Sequence, residues 1–221
     1  MWRQGSMKKI ILLWPTARPQ VMRQTHLIWH NRAVVKPDIL IAVNTPEQQS
    51  QLLDFGNVLV VGDNRKGPAY PTFVLGKEVN AKHGDILILV SDDFYPPDHW
   101  DEYLRSAFES YSGSILVNDG HQFGGCMTIP IMDYACLLKL NRIIYHSDYN
   151  WQYADTELFL NLSEMGLLRD LRLTSPVFEH RHWANGKRVL DEVDVPGARM
   201  RDYDILTWER RSKLSLIERL K

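Results

Sequence analysis

An α/β fold is predicted for this chain, with a central, mostly parallel sheet that carries helices on its faces. Short apolar segments rich in β-branched residues alternate with longer segments of helical periodicity through the first half of the sequence, a pattern typical of βαβ units. The clearest short segment, Ile86–Val90, is apolar throughout, as expected of a strand buried on both faces. The 221 residues, 44% of them apolar and 24% charged, have the composition of a globular protein with a substantial core.

The first half of the chain is predicted to contain three strand–helix repeats and a fourth strand. Pro15 and Pro19 interrupt the chain after the first strand, and Pro46 suits the first turn of the second helix. Because parallel strands need crossover connections, this alternation favours a parallel sheet. The predicted elements are, in order, the strand Lys9–Trp14, the helix Gln20–Asn31, the strand Asp38–Val43, the helix Pro46–Leu53, the strand Asn57–Val61, the helix Thr72–His83 and the strand Ile86–Val90.

The second half is less regular, and its predicted elements are shorter. Gly166 is expected to end one of its helices as a C-cap. Residues 175–201 are predicted to be mostly loop. The predicted elements are the helix Pro97–Tyr111, the strand Ser114–Val117, the apolar segment Thr128–Met132, the helices Met132–Leu140 and Tyr153–Gly166, a short strand Leu171–Leu173, and a charged amphipathic helix over Asp204–Leu220.

Charge and cysteine content exclude several classes of protein. The formal net charge is −1, so no overall field attracts nucleic acid, although no Asp or Glu precedes Asp38 and the first segment is locally basic. Cys126 and Cys136 form neither a disulfide framework nor a zinc-ligand spacing. No apolar run is long enough for a membrane span, and a cytoplasmic location is expected.

The apolar run Ile86–Val90 leads directly into two adjacent carboxylates, Asp92 and Asp93. In open α/β sheets, ligands bind at the carboxyl ends of the strands. Neighbouring carboxylates repel each other unless a cation or hydrogen bonds hold them, and hard divalent cations bridge carboxylates to phosphates. The pair therefore indicates either a metal–diphosphate site or an acidic loop that caps the next helix.

Six short motifs follow one another along the chain. They are Thr16-Ala17-Arg18-Pro19, Ser91-Asp92-Asp93, the segment Phe94 to Trp100, Phe123-Gly124-Gly125, Ala154-Asp155-Thr156-Glu157-Leu158 and Phe178-Glu179-His180-Arg181-His182. In order and spacing this set resembles the GT-A fold glycosyltransferases of the family-two type, which use nucleotide sugars. Asn44 stands where that family commonly has an aspartate.

The resemblance implies one GT-A-like catalytic domain over residues 8–203. Residues 8–100 would be a Rossmann-like half that binds the nucleotide sugar, and residues 101–203 the acceptor half. Residues 1–7 are then an N-terminal extension, and residues 204–221 form the C-terminal amphipathic helix.

The implied activity is metal-dependent transfer of a sugar from a nucleoside-diphosphate sugar, with a UDP-sugar favoured, to an acceptor hydroxyl. Mn²⁺ or Mg²⁺ would be held by Asp93, Asp92 and His180. His180 and His182 are separated by one residue, and on the expectation that they face opposite ways only one of them is expected to be a ligand. Asp155 matches the position of the general base of an inverting enzyme.

Further binding residues follow from the resemblance and from their places at strand ends. The expected acceptor is a glycan or another hydroxyl compound, and a nucleic-acid acceptor stays open. Trp151, Tyr153 and Glu157 are the acceptor-binding candidates. The donor-binding candidates are Arg18, Asn44, Asp63, Asn64, Ser91, Gly124 and Gly125.

Two other functions are compatible with the sequence. A nucleotidyltransferase of similar fold also places strand-end aspartates on magnesium, although Thr16-Ala17-Arg18-Pro19 is a poor match to the Gly-rich signature of that class. A non-catalytic protein that binds nucleotides or glycans is the other alternative, and hydrolysis of the donor would separate it from an enzyme.

Overall fold

A seven-stranded mixed sheet forms the centre of the computed structural model, which describes residues 7–62, 67–121, 124–183, 186–189, 192, 195 and 199–221. Its strands are β1 (Ile10–Pro15), β2 (Asp38–Val43), β3 (Val58–Val60), β4 (Ile86–Leu89), β6 (Ser114–Leu116), β7 (Ile131–Asp133) and β8 (Leu168–Asp170). Their spatial order is β3-β2-β1-β4-β7-β6-β8, and β5 (Phe94–Tyr95) pairs separately with β9 (Glu179–His180). Only β7 runs antiparallel to its neighbours in the large sheet, so the predicted mostly parallel α/β sheet is confirmed.

Most of the predicted helices are present, and several of them begin or end at other residues than predicted. The first long helix in the second half begins at Trp100, because His99 takes a left-handed backbone conformation with φ of 57°. The short strand predicted over Leu171–Leu173 is wrong, since β8 occupies Leu168–Asp170. The helices are α1 (Pro19–Asn31), α2 (Pro46–Ser50), α3 (Ala69–Glu78), α4 (Trp100–Ala107), α5 (Tyr134–Lys139), α6 (Ala154–Glu164), α7 (Arg201–Arg211) and α8 (Leu216–Arg219).

The single C-terminal helix predicted over Asp204–Leu220 is two helices instead. α7 ends at Arg211, and α8 starts after Ser215. The reason is local, because Ser215 and Glu218 form a capping box in which each side chain bonds the backbone of the other. A capping box fixes a new helix start at that position.

Two apolar clusters pack on the opposite faces of the sheet. Alternate residues of β1 enter different clusters, with Leu12 on one face and Leu13 on the other. Strand β4 alternates in the same way, and each of its four residues is buried. The prediction that this strand is buried on both faces is therefore confirmed.

The sheet order decides which loops meet. β1 and β4 are parallel neighbours, with Leu13 opposite Leu89, so the segments after both strands lie side by side. Immediately after β4, the β5–β9 ribbon pairs Phe94 with His180. This pairing brings a segment from near residue 180 to the end of β4.

Candidate active site

Asp92 is buried within a network of donors from the end of β1 and the loop that follows it. Its Oδ1 accepts a hydrogen bond from Trp14 Nε1 at 2.9 Å, and its Oδ2 accepts from Thr16 Oγ1 at 3.0 Å and Arg18 Nε at 3.1 Å. Thr25 Oγ1 also donates to the Asp92 carbonyl at 2.8 Å. Burial raises the pKa of Asp92, while Arg18 and the other donors favour its ionised form. With both oxygens engaged, Asp92 secures the β4 end to the β1 end.

Asp93 has a different environment, although it is buried as well. Ser91 Oγ donates to Asp93 Oδ1. Its Oδ2 lies 3.6 Å from His180 Nε2 and 3.4 Å from Arg188 Nε. Burial opposes ionisation of Asp93, but His180, Ser91 and Arg188 outweigh it and hold the pKa of the carboxyl well below its ordinary value. Asp93 is therefore an anion at neutral pH that faces cationic and imidazole groups.

Asp93, His180 and His182 form a group whose ligand atoms all lie within 4.8 Å of one another. The rings of His180 and His182 have centroids 5.1 Å apart, so the expectation that they face opposite ways is wrong. The reason is that residues i and i+2 of an extended chain point to the same face, and the chain stays paired past His180, because the Arg181 N–H donates to the Asp93 carbonyl at 2.8 Å. One carboxylate and two imidazoles are a donor set that suits a divalent transition metal.

Asp155 occupies the second position of α6. Its Oδ1 accepts the Thr156 N–H at 2.8 Å, and its carbonyl accepts the Met127 N–H at 3.3 Å. Burial raises the pKa of Asp155, and the Thr156 N–H, the Thr156 hydroxyl and the charge of His180 act in the opposite direction. The charge of His180 thus affects Asp155, and a raised pKa is a property of carboxylates that exchange protons.

Glu157, two residues further along α6, is buried and fully bonded. Arg211 donates to both of its oxygens, at 2.9 and 2.8 Å, and Tyr149 Oη donates at 2.9 Å. This side chain holds α7 against α6. Neither carboxylate oxygen of Glu157 is free in this arrangement. The predicted contact of Glu157 with an acceptor stays a prediction.

The other two acceptor candidates lie in the loop before α6. The ring of Tyr153 stacks on Trp208 with centroids 6.3 Å apart. The backbone N–H of Trp151 donates to Asp204 Oδ2 at 2.9 Å. Both rings are partly exposed, so both are accessible beside Asp155.

The structure spreads the predicted donor-binding residues along the carboxyl edge of the sheet. Arg18 is paired with Asp92. Asn44 follows β2 directly, and its Oδ1 is buried without a hydrogen-bond partner, an atom that a bound ligand could satisfy.

Two loops complete the set of predicted donor contacts. Gly124 and Gly125 are exposed, and Arg172 Nη1 donates to the Gly124 carbonyl at 2.9 Å. The predictions for Asp63 and Asn64 lie outside the described residues.

Three charged residues of the site region escaped sequence reasoning. Arg188 reaches Asp93 from a loop that carries no motif. Asp119 is buried, accepts a hydrogen bond from Thr128 Oγ1 at 2.6 Å, and its carbonyl accepts the His180 N–H at 3.0 Å. Asp204 bonds three backbone N–H groups of the loop before α6. The Asn118-Asp119-Gly120 turn after β6 was the one signal available, because polar residues at strand ends mark sites in α/β sheets.

Comparison with known proteins identifies the architecture. No family model matches the sequence, and no curated protein sequence matches it. Among solved structures, S. aureus TarS 1-349 in complex with UDP aligns with a TM-score of 0.61 over 76% of this chain, at 14% identity. This chain has a GT-A-like fold. The GT-A-like chain spans only 59% of that TarS structure.

Two further structures agree with this assignment. A mannosyltransferase from Pyrobaculum calidifontis in complex with GDP-Man and Mn²⁺ has a TM-score of 0.53 at 12% identity, and the alignment covers 80% of this chain and 58% of that one. Glucosyl-3-phosphoglycerate synthase from Mycobacterium tuberculosis has a TM-score of 0.55 at 9% identity, with 80% and 74% covered. Among the described residues, no helix of the GT-A-like chain has the length and apolar character to cross a membrane.

Proposed function

We propose that the chain is a metal-dependent glycosyltransferase that moves a sugar from a nucleoside-diphosphate sugar to an acceptor hydroxyl, with inversion at the anomeric carbon. The observation that carries the proposal is the grouping of Asp93, His180 and His182 at the carboxyl end of β4, with Asp155 nearby in a GT-A-like fold. The similarity of TarS structures with UDP and UDP-GlcNAc, and of a mannosyltransferase with GDP-Man and Mn²⁺, supports a nucleotide-sugar donor. A UDP-sugar is the favoured one.

The donor atoms of the group fit a divalent ion. Asp93 offers one oxygen and His180 and His182 each offer a ring nitrogen, all within 4.8 Å of one another. Two imidazoles favour Mn²⁺ over Mg²⁺, because Mg²⁺ prefers an all-oxygen shell. When bound there, the ion would act as a Lewis acid that neutralises charge on the diphosphate. Asp92 supports Asp93 from behind and is not proposed as a direct ligand, because its oxygens are engaged by Trp14, Thr16 and Arg18.

Asp155 is proposed as the catalytic base. Its carboxylate would take the proton from the acceptor hydroxyl as that oxygen attacks the anomeric carbon. Burial raises the pKa of Asp155. A carboxylate whose pKa lies closer to the working pH is a stronger base, so proton transfer to it is more favourable. Attack from the side of Asp155, opposite the departing diphosphate, gives the inverted product. Trp151 and Tyr153, in the preceding loop, are the proposed acceptor contacts.

Binding calorimetry tests the metal and donor parts together. UDP and GDP are titrated into the protein with Mn²⁺, with Mg²⁺ and with a chelator. We expect Mn²⁺ to give the tighter binding and the chelator to abolish it. Asp93→Asn, His180→Ala and His182→Ala should each weaken Mn²⁺-dependent binding, whereas His99→Ala, at a histidine whose side chain is 70% exposed, serves as the matched control. Undiminished affinity in chelator and in Asp93→Asn would exclude the metal role.

A nucleotidyltransferase is the second candidate, and one comparison favours it. A CMP:2-keto-3-deoxy-manno-octonic acid synthetase complexed with CTP aligns with a TM-score of 0.50 and 10% identity, over 88% of this chain and 100% of that one. This candidate predicts release of pyrophosphate from CTP or UTP in the presence of a sugar substrate. A non-catalytic binding protein, in contrast, would bind nucleotide and turn over neither kind of substrate. Assays for pyrophosphate and for nucleotide-sugar hydrolysis separate the three.

A further inference from the structure

The loop before α6 aims three consecutive backbone N–H groups at one side chain. Asn150 N donates to Asp204 Oδ1 at 2.9 Å, and Trp151 N and Gln152 N donate to Asp204 Oδ2 at 2.9 and 2.8 Å. Asn150 Nδ2 lies 3.5 Å from Oδ1. An ionised carboxylate has about four acceptor sites, so this loop uses nearly all of them.

Asp204 reaches this loop from a distant part of the chain. It belongs to α7, more than fifty residues later, and its exposure is 0%. A buried carboxylate is tolerated when hydrogen bonds replace its hydration. Here those bonds come almost entirely from the backbone of one loop, so the interaction fixes the path of that loop.

The helix that carries Asp204 is itself tied firmly to α6. Arg211 forms a two-pronged ion pair with Glu157 inside the protein. From α8, Arg219 Nε donates to Asn161 Oδ1 at 2.7 Å and also pairs with Glu164. The helices that present Asp204 and Asp155 are therefore joined by buried ion pairs and hydrogen bonds, and these contacts fix the position of Asp204 relative to α6.

The backbone conformation of Tyr153 shows the constraint that Asp204 and its helix place on the loop. Tyr153 precedes α6 with φ of 65°, in the left-handed region, which costs a non-glycine residue about 1–2 kcal/mol. Such a conformation persists only when the surroundings determine it. Asp204 holds the three residues before Tyr153, and Trp208 of the same helix stacks on its ring. Both constraints come from α7.

On its other side the loop presses against the start of α3. Ala69 N donates to the Asn150 carbonyl at 3.4 Å. A Cβ at Gly67 would lie only 1.8 Å from the same oxygen. The loop is thus confined between α3 and α7, and its freedom depends on the Asp204 hydrogen bonds.

We propose that Asp204 is a positioning residue that sets the backbone of residues 150–153 and thereby the place of Asp155 and of the acceptor contacts Trp151 and Tyr153. This inference rests on the proposed function for its catalytic part. Through Asp204, the C-terminal helices would then determine the geometry of the acceptor side of the site. A loosened loop would misplace the base while leaving the Asp93 group unchanged.

The chain offers a matched control at Asp101. That carboxylate is also 0% exposed and also caps consecutive backbone N–H groups, those of Val34 at 2.8 Å and Val35 at 2.9 Å. Its loop precedes β2, at the opposite edge of the sheet from Asp93. Asp101 also pairs with Arg105, so Asp101→Asn removes a buried loop cap together with an ion pair and sets an upper bound on the general cost of losing such a cap.

The experiment compares Asp204→Asn and Asp101→Asn in the full chain. Amide hydrogen exchange is measured over residues 147–157, and hydrolysis of UDP-GlcNAc and GDP-mannose is measured with Mn²⁺. For Asp204→Asn we expect amide exchange in the loop to be about tenfold faster than in the wild type. The kcat should fall about 10²-fold, and the KM for the nucleotide sugar should stay within about twofold of the wild-type value. The reason is that a small misplacement of the base affects the chemical step and not donor binding. Asp101→Asn should leave loop exchange, kcat and KM unchanged.

Several outcomes would overturn the inference. Unchanged loop exchange in Asp204→Asn contradicts the positioning role, and so does faster exchange with unchanged kcat. Equal losses of kcat in both variants would reduce the effect to general stability. If Asp204→Asn does not fold, Asp204→Ser, which leaves room for a bridging water, is assessed by the same criteria. If the wild type hydrolyses neither nucleotide sugar, the proposed function fails, and loop exchange alone decides the role of Asp204.

Discussion

Asparagine substitution at Asp92 and at Asp93 is the same chemical change at adjacent positions, with opposite expected consequences. Asp92 holds three donors in the interior, and its amide replacement has only one acceptor oxygen. If that oxygen keeps Thr16 and Arg18, the amide N–H₂ faces Trp14 Nε1, a donor on a fully buried ring. One buried donor is then unpaired.

The magnitude follows from these contacts. An orphaned buried donor costs about 1–3 kcal/mol, and a lost hydrogen bond to a charged group about 1.5–3 kcal/mol. Asp92→Asn should therefore lower the free energy of unfolding by about 3 kcal/mol. Asp93 lies 3.4–3.6 Å from Arg188 and His180, in contacts longer than ideal hydrogen bonds. The amide of Asp93→Asn keeps an acceptor oxygen for the Ser91 hydroxyl and loses the charge that faces the other two groups. Asp93→Asn should therefore cost about 1–2 kcal/mol, less than Asp92→Asn, while it abolishes Mn²⁺-dependent nucleotide binding.

Urea unfolding followed by circular dichroism measures the first quantity, and calorimetry with UDP and Mn²⁺ measures the second. Asp98→Asn, whose side chain is 79% exposed, is the control and should change stability by about 0.5 kcal/mol or less. If Asp92→Asn were as stable as the wild type, or if both variants lost metal binding equally at full stability, the division of roles between the two carboxylates would be refuted.

Asp155→Asn should keep nucleotide affinity and lower the transfer rate about 10²–10⁴-fold. Because the base acts when deprotonated, the wild-type transfer rate should fall as the pH drops through the raised pKa of Asp155. A flat pH–rate profile would contradict the role of Asp155 as the base. Arg211→Met should destabilise the protein by about 3–5 kcal/mol in urea unfolding, since it leaves Glu157 buried without its cation, whereas Lys213→Met, at an exposed position, should have little effect. Burial lowers the pKa of His26 to about 4, so only the unfolded state takes up a proton near pH 6.5; stability should be complete above pH 6.5 and fall towards pH 4 by about 1–2 kcal/mol, allowing for partial exposure. His26→Gln should remove that part of the decline between pH 7 and pH 5 in thermal unfolding, and an unchanged decline would show that other groups cause it.

The strands of the first half and their order along the chain were predictable, because the sequence signals of a strand are local. The apolar run Ile86–Val90 can be satisfied only by burial on both faces, and such a strand belongs in the centre of a parallel sheet. The position of Asp92 and Asp93 at its carboxyl end then follows from covalent connectivity alone. The βαβ rhythm and the ordered motifs therefore sufficed for the GT-A-like fold.

The common side of the two histidines was predictable, because residues i and i+2 of an extended chain point to the same face, and the expectation of opposite faces misapplied that rule. The group that this face meets could not be predicted. Strand β9 pairs with β5 and thereby brings His180 beside Asp93. Nothing in the sequence of either segment identifies its pairing partner, because the two segments lie far apart in the chain.

The partners of the C-terminal helices were hidden for a related reason. The sequence of Asp204–Leu220 is charged on several sides, which by itself favours a solvated helix. Its Asp204 and Arg211 are nonetheless buried, because their partners lie in the loop before α6 and at Glu157. Ion pairs between segments fifty residues apart leave no periodic signal.

The sheet topology explains why adjacent carboxylates can take different tasks. Because β1 is the direct neighbour of β4, the end of β1 and the residues after it are the ones that reach Asp92, and they bring the buried donors Trp14 and Thr16 and the cation Arg18. Because β5 follows Asp93 and pairs with β9, His180 of β9 and the later Arg188 are the ones that reach Asp93. A carboxylate surrounded by donors from its own sheet is fixed in place, whereas one that faces a later loop remains available to a ligand. The like charges that would repel on an isolated strand are thus separated by strand order, and the fixed member holds the available one in position.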